Sequence, residues 1–176
     1  MSMKIGFAAL ESPIGSLLVA STQNGLCFLE FGTDESATAS FQKWVKKWHP
    51  EVTPVHDEPM NEQVIQQLQE YFAKTRSRFD VKLDLYGTEF QKSVWRALTE
   101  IPFGMTKSYK EVAEAVGNAK AVRAVGGANN KNPIPIIIPC HRVIGTNGSM
   151  VGYGGGLSIK EFLLTLENAQ LKQSVV

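Results

Sequence analysis

Apolar positions in the first third of the chain fall into three short runs, Ile5–Leu10, Leu17–Ser21 and Leu26–Phe31, separated by Ser12-Pro13-Ile14-Gly15 and by Asn24-Gly25. Both separators carry turn chemistry, so the pattern predicts a β-meander. The period then lengthens. Phe41, Trp44, Val45 and Trp48 within Ser36–Trp48, and Val64, Ile65, Leu68, Tyr71 and Phe72 within Glu62–Phe72, recur at helical spacing and predict two amphipathic helices. The proline-bearing stretch between them, His49–Pro59, reads as an irregular connection with His49 and His56 at the surface. Val81–Leu85 alternates weakly and is a candidate for one more strand.

From Gly87 onward the texture changes to short helices with polar caps. Thr88-Glu89-Phe90-Gln91, Ser108-Tyr109-Lys110-Glu111 and Ser158-Ile159-Lys160-Glu161 all have capping-box spacing. The first opens a helix with Phe90, Val94, Trp95 and Leu98 as its buried stripe, ended by Ile101-Pro102-Phe103-Gly104. The second runs to Val116, and a third helix follows over Lys120–Ala128. The last carries Phe162, Leu163, Leu164 and Leu166. Two short helices joined through Gly117-Asn118 fit a helix-turn-helix, although any packed helix pair gives the same spacing. The expectation is an α+β chain: a small N-terminal sheet-and-helix lobe, residues 1–86, packed on a mainly helical C-terminal lobe, residues 87–176, that contains the helix-turn-helix.

Composition narrows the classes. A chain of 176 residues with 43% hydrophobic and 20% charged residues is neither disordered nor a coiled coil. Two cysteines, Cys27 and Cys140, exclude a disulfide scaffold and suggest a reducing compartment. No apolar run is long enough to span a bilayer and none reads as a signal peptide, so the expected location is the cytoplasm, with no membrane partner. The net charge of +1 argues against holding nucleic acid by gross charge, yet it conceals a segregation. Residues 1–86 hold eight Lys/Arg against eleven Asp/Glu, whereas residues 87–176 hold ten against six. Between Ala115 and Lys160 there are five basic residues, Lys120, Arg123, Lys131, Arg142 and Lys160, and no acidic one. Such a stretch can sit beside phosphates without repulsion.

Chemistry concentrates in Lys131–Gly145. Pro133, Pro135 and Pro139 remove backbone donors and push their predecessors into extended geometry, which predicts a stiff apolar rod that delivers Cys140 to a fixed place. Burial raises a thiol's pKa, so Cys140 becomes a nucleophile only with a base or a positive environment. His141 and Arg142 follow at once. Neighbours on an extended strand face opposite ways, so Cys140 and His141 meet only across a turn or through a water. His141 needs a carboxylate to fix its tautomer, and Glu161 and Glu167 are the nearest downstream candidates. Cys27, among apolar strand residues, reads as buried filler. The histidines and Cys27 lack the paired spacing of a zinc site.

These residues resemble the O6-alkylguanine-DNA alkyltransferases. The likeness runs from Gly87 to Glu167 through Ile101-Pro102-Phe103-Gly104, Ser108-Tyr109, Gly117-Asn118, Arg123 to Ala128, Asn132-Pro133, Pro139-Cys140-His141-Arg142-Val143, Tyr153 to Leu157 and Lys160 to Glu167. Residues 1–86 share only the order of elements, which implies a ribonuclease-H-like lobe, while residues 87–176 would bind DNA and catalyse. The resemblance implies a single-turnover, irreversible transfer of the alkyl group from O6-alkylguanine in DNA to Cys140, with O4-alkylthymine left open. His141 would take the thiol proton through a water, Glu167 would orient His141, and Asn132 would bond across the turn that presents the cysteine. Tyr109 would donate to the departing guanine, and backbone carbonyls at Cys140 and Val143 would read its amino group. Tyr153, Gly154 and Gly155 would wall the base pocket. A slim second helix, with Ala124 and Gly126, would enter the minor groove of double-stranded DNA, and Arg123 would fill the stack vacated by the flipped base. The expected state is a monomer that needs no cofactor and no metal. Two readings from other classes compete: a helix-turn-helix module that binds damaged DNA without repairing it, and a Cys-His hydrolase with an acyl intermediate.

Overall fold

The computed structural model describes residues 2–148, 153 and 156–168. It is a mixed α+β chain that divides into two compact units, Met1–Tyr86 and Gly87–Val176. In the first unit, β1 (Ile5–Ser12), β2 (Gly15–Thr22) and β3 (Gly25–Phe31) form the antiparallel meander. The β1–β2 register, Ile5 opposite Thr22 through Ser12 opposite Gly15, is fixed by the intervening turn, where the Ser12 hydroxyl donates to the Gly15 carbonyl at 2.6 Å. At the β2–β3 turn, Gly25 has φ +142, and a Cβ there would lie 2.6 Å from the Lys82 carbonyl oxygen. Only glycine fits.

Helix α1 (Glu35–Trp48) starts where the Asp34 side chain accepts from the Ala37 amide, and it buries Ala37, Phe41 and Val45. Phe41 and Val45 join a core with Ile5, Leu18, Ala20, Cys27 and Phe28. The connection after α1 is more ordered than its prolines suggest. Val55–His56 forms β4, parallel to β1, giving the sheet order β3-β2-β1-β4. The Asp57 amide donates to the Phe7 carbonyl at 2.8 Å. His49 is buried, not a surface residue, because its ring packs edge-on to Tyr86 with centroids 4.6 Å apart. His56 is exposed. Val81–Leu85 makes no full strand: Leu83 forms a single bridge to Leu26, closed by hydrogen bonds from Leu26 to Lys82 and from Asp84 to Leu26. Helix α2 (Glu62–Phe72) lies where its spacing predicts, burying Val64, Leu68 and Tyr71.

The second unit comprises α3 (Glu89–Thr99), α4 (Tyr109–Ala115), α5 (Val122–Asn130) and α6 (Leu157–Leu166), with β5 (Lys107–Ser108) parallel to β6 (Val143–Ile144). Both capping boxes form, at Thr88–Gln91 and at Ser108–Glu111. Val94, Trp95 and Leu98 are buried as their spacing predicts, but Phe90, in the first turn, is exposed. Helix α5 begins later than its pattern suggests. The Asn118 side chain accepts from the Lys120 amide at 3.2 Å, so that segment is spent on a turn. The third capping box does not form: Gly156, with φ +98, precedes the helix, which places Ser158 inside its first turn. Trp95 ties α3 to α5, its indole nitrogen donating to the Ala128 carbonyl at 2.9 Å.

The segment before Cys140 is a folded turn, not a rod. The Ile138 amide donates to the Ile134 carbonyl at 2.9 Å, and Ile136 takes a left-handed φ of +75. Prolines at 133, 135 and 139 hold Asn132, Ile134 and Ile138 out of the helical region, so the chain reverses through Ile136 and Ile137. A β-branched residue at positive φ is strained and persists only where the surroundings impose it. Here Asn132 brackets the turn, its amide donating to the Ile138 carbonyl at 2.7 Å while its oxygen accepts from the Ile134 amide at 2.9 Å. Replacing Trp95 with Phe strips the Ala128 carbonyl of its buried donor and is expected to cost about 1–3 kcal/mol of unfolding free energy, measured by denaturant titration. An unchanged midpoint would show that this bond does not hold α3 to α5.

Candidate active site

Pro139 ends the turn, and Cys140–Arg142 forms a single 3-10 turn in which the Arg142 amide donates to the Pro139 carbonyl at 2.9 Å. All three side chains of that turn are buried. Cys140 is 5% exposed, and burial pushes its thiol up to about 11, against the opposing influence of Asn132, the Lys160 charge and the nearby Tyr153 hydroxyl. At neutral pH it is therefore a protonated thiol that needs a base.

The base is supplied by its neighbour. His141 is fully buried, and its Nε2 lies 2.7 Å from Glu167 Oε2 at the end of α6. A hydrogen bond to an anionic carboxylate places the proton on Nε2, leaving Nδ1 as the basic nitrogen. Nδ1 is buried and has no hydrogen-bond partner among the described residues. Burial lowers the His141 pKa, so the ring is held neutral, as a base must be. Glu161, the other carboxylate candidate, is exposed.

Glu167 is clamped from a second side. Arg142 Nε donates to Glu167 Oε1 at 2.9 Å, Nη2 donates to Oε2 at 3.0 Å, and Nη1 donates to the Ile101 carbonyl at 2.6 Å. Burial alone would raise the Glu167 carboxyl. Hydrogen bonds from His141 and Arg142, with the permanent Arg142 charge, outweigh it and hold the carboxyl at about 2. Lys160, one helical turn into α6, is also fully buried and donates to the Val143 carbonyl at 2.6 Å. Burial brings its ammonium down to about 8.

Tyr109, at the start of α4, is half-buried, and desolvation followed by the charge of Cys140 raises its phenol, opposed by a hydrogen bond from Asn129. The structure thus gathers Cys140, His141, Glu167, Asn132, Tyr109, Val143 and Tyr153 around one turn. Gly154 and Gly155 lie outside the described residues. Arg123 and Ala124 stand exposed on α5 and Gly126 is half-buried there, while Val125 and Ala128 of the same helix are buried. A Cβ added at Gly126 or Gly127 would meet nothing within 4 Å, so the protein's own packing does not demand their small size.

Arg142 and Lys160 do not face solvent with the other cations of Ala115–Lys160: both are buried and spend donors inside the unit. Lys120, Arg123 and Lys131 remain exposed. Spacing held the signal for Lys160: residues 160, 163, 164 and 167 follow a helical stripe whose other members are two leucines and Glu167. Among the described residues no three His, Cys, Asp or Glu side chains converge as metal ligands would.

Glu167→Gln would leave Arg142 without its counter-charge and is expected to cost about 3–5 kcal/mol at pH 7. Glu167 has a folded pKa near 2; an unfolded carboxyl titrates at about 4.3, so its stabilisation is complete above that pH and disappears as pH falls toward 2. Acid titration of stability should show about 3 kcal/mol lost across that window, a limb absent from the Gln variant. An identical acid limb in both proteins would remove Glu167 from this role.

Residues 89–169 match the DNA-binding domain of 6-O-methylguanine DNA methyltransferase, and residues 5–85 match its ribonuclease-like domain. A methylated-DNA–protein-cysteine methyltransferase of Methanosarcina acetivorans is 50% identical over 163 residues, covering 93% of this chain and 98% of that one. The crystal structure of Mycobacterium tuberculosis OGT in complex with DNA is similar with a TM-score of 0.79 and 44% identity, covering 93% of this chain and 92% of that one. The O6-methylguanine-DNA methyltransferase of Pyrococcus kodakaraensis, at 21% identity and a TM-score of 0.65, shares the fold across 94% of this chain and 99% of its own. The chain belongs to the methylated-DNA–protein-cysteine methyltransferase family.

Proposed function

We propose that this chain repairs DNA by direct reversal, moving the alkyl group of O6-alkylguanine onto its own Cys140 in one irreversible turnover. The observation that carries the reading is the neutral, fully buried His141, held through Nε2 by Glu167 with Nδ1 uncommitted, on the turn that carries Cys140. The thiol proton passes through a water to Nδ1. The Cys140 thiolate then attacks the alkyl carbon, a C–S bond forms, and the C–O6 bond breaks with its electron pair going to guanine. Tyr109 quenches that charge by donating its phenol proton, and the proton held by His141 restores the phenol. A thioether has no route back, so the protein is consumed. Lys160 and Asn132 support the thiolate electrostatically, which offsets part of the cost of forming it in a buried site.

The lesion lies within a duplex, so the base must be flipped out to reach Cys140. Helix α5 offers the matching surface: Arg123 and Ala124 are exposed, and open space surrounds Gly126 and Gly127. In this reading α5 enters the minor groove of double-stranded DNA, Arg123 fills the vacated stack, and a monomer suffices. Lys120, Arg123 and Lys131 supply a modest, salt-dependent attraction. Backbone carbonyls at Cys140 and Val143 read the guanine amino group, with Lys160 fixing the latter. Residues 87–176 carry both binding and chemistry.

Mass spectrometry after mixing with a duplex containing O6-methylguanine should find one methyl group per protein, on Cys140. Cys140→Ala should bind that duplex and accept nothing. A folded wild type without adduct, or one that releases methyl and turns over repeatedly, overturns the assignment, the second outcome in favour of a hydrolase. Arg123→Ala should slow repair in duplex by about 10–100-fold, in keeping with the cost of unstacking a base, while sparing reaction with the free modified base. Equal slowing of both would remove the flipping role.

A further inference from the structure

Arg142 is 7% exposed and spends its donors on two partners. It grips Glu167 through Nε at 2.9 Å and Nη2 at 3.0 Å, and its Nη1 lies 2.6 Å from the Ile101 carbonyl. The guanidinium carbon is 6.0 Å from the centre of the Phe103 ring, in the loop that joins α3 to β5. The Gly104 amide of that loop donates to Glu167 Oε1 at a longer 3.4 Å. Among these contacts on the carboxylate, only those of Arg142 bring a charge. A buried carboxylate surrounded by neutral donors takes up a proton, because desolvation favours the uncharged form. Glu167 Oε2 and His141 Nε2 are 2.7 Å apart with one proton between them. A second proton added to this pair ends on Nδ1 either way: a neutral carboxyl donates to Nε2 and leaves the ring hydrogen on Nδ1, and an imidazolium carries hydrogens on both nitrogens. Lys160, the other buried cation, donates to the Val143 carbonyl, and its charge opposes the imidazolium form.

We propose that Arg142 is a positioning residue for the proton transfer from Cys140: by neutralising Glu167 it keeps a second proton off the His141–Glu167 pair, and so keeps Nδ1 bare to receive the thiol proton. This rests on the alkyl-transfer reading and names the residue that arms its base. The two neighbours of the histidine divide the work. Glu167 chooses which nitrogen carries the hydrogen, and Arg142 ensures that there is only one hydrogen to place. In the transfer the S–H bond of Cys140 breaks and an Nδ1–H bond forms through the bridging water, so the pair holds a second proton only while the reaction is under way. A pair that already held it at rest would have no site left for the thiol proton. Nδ1, fully buried and without a hydrogen-bond partner among the described residues, is placed as a bare nitrogen must be.

The test reads the proton directly and needs no substrate. Of the three histidines, His49 and His56 lie in the first unit, so nitrogen NMR of the full-length protein labelled in its histidine rings leaves His141 to follow in the second. At neutral pH the wild-type ring should carry a hydrogen on Nε2 and none on Nδ1. In Arg142→Met, Nδ1 should carry one; in Arg142→Lys, which keeps the charge with fewer donors, it should again be bare. Single-turnover methyl transfer from an O6-methylguanine duplex should follow the same order. Arg142→Met should be slower by about tenfold or more at neutral pH, as for a lost general base, and should regain rate relative to wild type as rising pH strips the added proton. Arg142→Lys should follow the wild-type pH profile. If Arg142→Met does not fold, Arg142→Gln, which keeps a neutral donor for Glu167, should show the same protonated Nδ1. A folded neutral variant with Nδ1 bare would overturn the proposal by showing that Lys160 or neutral donors suffice. Slowing that does not change with pH, or an Arg142→Lys protein as slow as the neutral variant, would overturn it too. A wild type with Nδ1 bare that takes up no methyl group would overturn the alkyl-transfer reading instead.

Discussion

The buried pairing of Arg142 with Glu167 is the contact on which the rest of the site depends. The guanidinium engages both carboxylate oxygens and adds a third bond to the Ile101 carbonyl, so it ties the Cys140 turn, the end of α6 and the loop after α3 into one junction. An ion pair in this setting is weak evidence for stability, because desolvation of both charges offsets the attraction. Its value lies in orientation. With Arg142 holding Glu167 ionised, Oε2 stays an acceptor for His141 Nε2, and the histidine tautomer is fixed without any contribution from the cysteine. A permanent cation does this where a second histidine could not, since it keeps its charge at every pH the protein meets.

The same burial that makes this geometry durable works against the nucleophile. Cys140, His141, Arg142, Lys160 and Glu167 are all nearly or fully excluded from water. Desolvation raises the thiol, lowers the histidine and lowers the lysine. A thiolate formed in such a place is poorly solvated and reactive, and the surrounding donors lessen the cost of forming it. The protein uses the group once, so it needs no machinery to regenerate the thiol. Cys27 is the contrast. It is equally buried, with its thiol donating to the Ala20 carbonyl, but burial and the Asp84 charge both hold it protonated.

The outward side of α5 shows the opposite economy. Its inner face is packed by Val125, Ala128 and Asn129, while Gly126 and Gly127 lie where a side chain would meet nothing. Two glycines destabilise a helix by about 1 kcal/mol each relative to alanine. That cost brings no internal packing in return, so the slim surface is best understood through what approaches it from outside. The cations left at that surface, Lys120, Arg123 and Lys131, are few. Three exposed cations supply only a modest, sequence-independent attraction to phosphate.

Local chemistry made much of the fold legible in the sequence. The Ser12–Gly15 and Asn24-Gly25 turns, the helices α1 and α2, and the caps at Thr88 and Ser108 all depend on interactions within a few residues, so the pattern alone determined them. The prolines likewise marked the mount of Cys140, though they constrain only their own neighbours, and the reversal at Ile136 followed from what they left free. Ser158 had the spacing of a cap, but where the chain entered α6 at Gly156 was decided elsewhere. Which carboxylate meets His141, and whether Arg142 and Lys160 face water or the interior, were decided only by tertiary structure. Sequence spacing places Glu161 and Glu167 on one helix. Burial of the face shared by Lys160, Leu163, Leu164 and Glu167 then selects Glu167, because an ionised group leaves water only where a fixed counter-charge and a full set of hydrogen bonds await it.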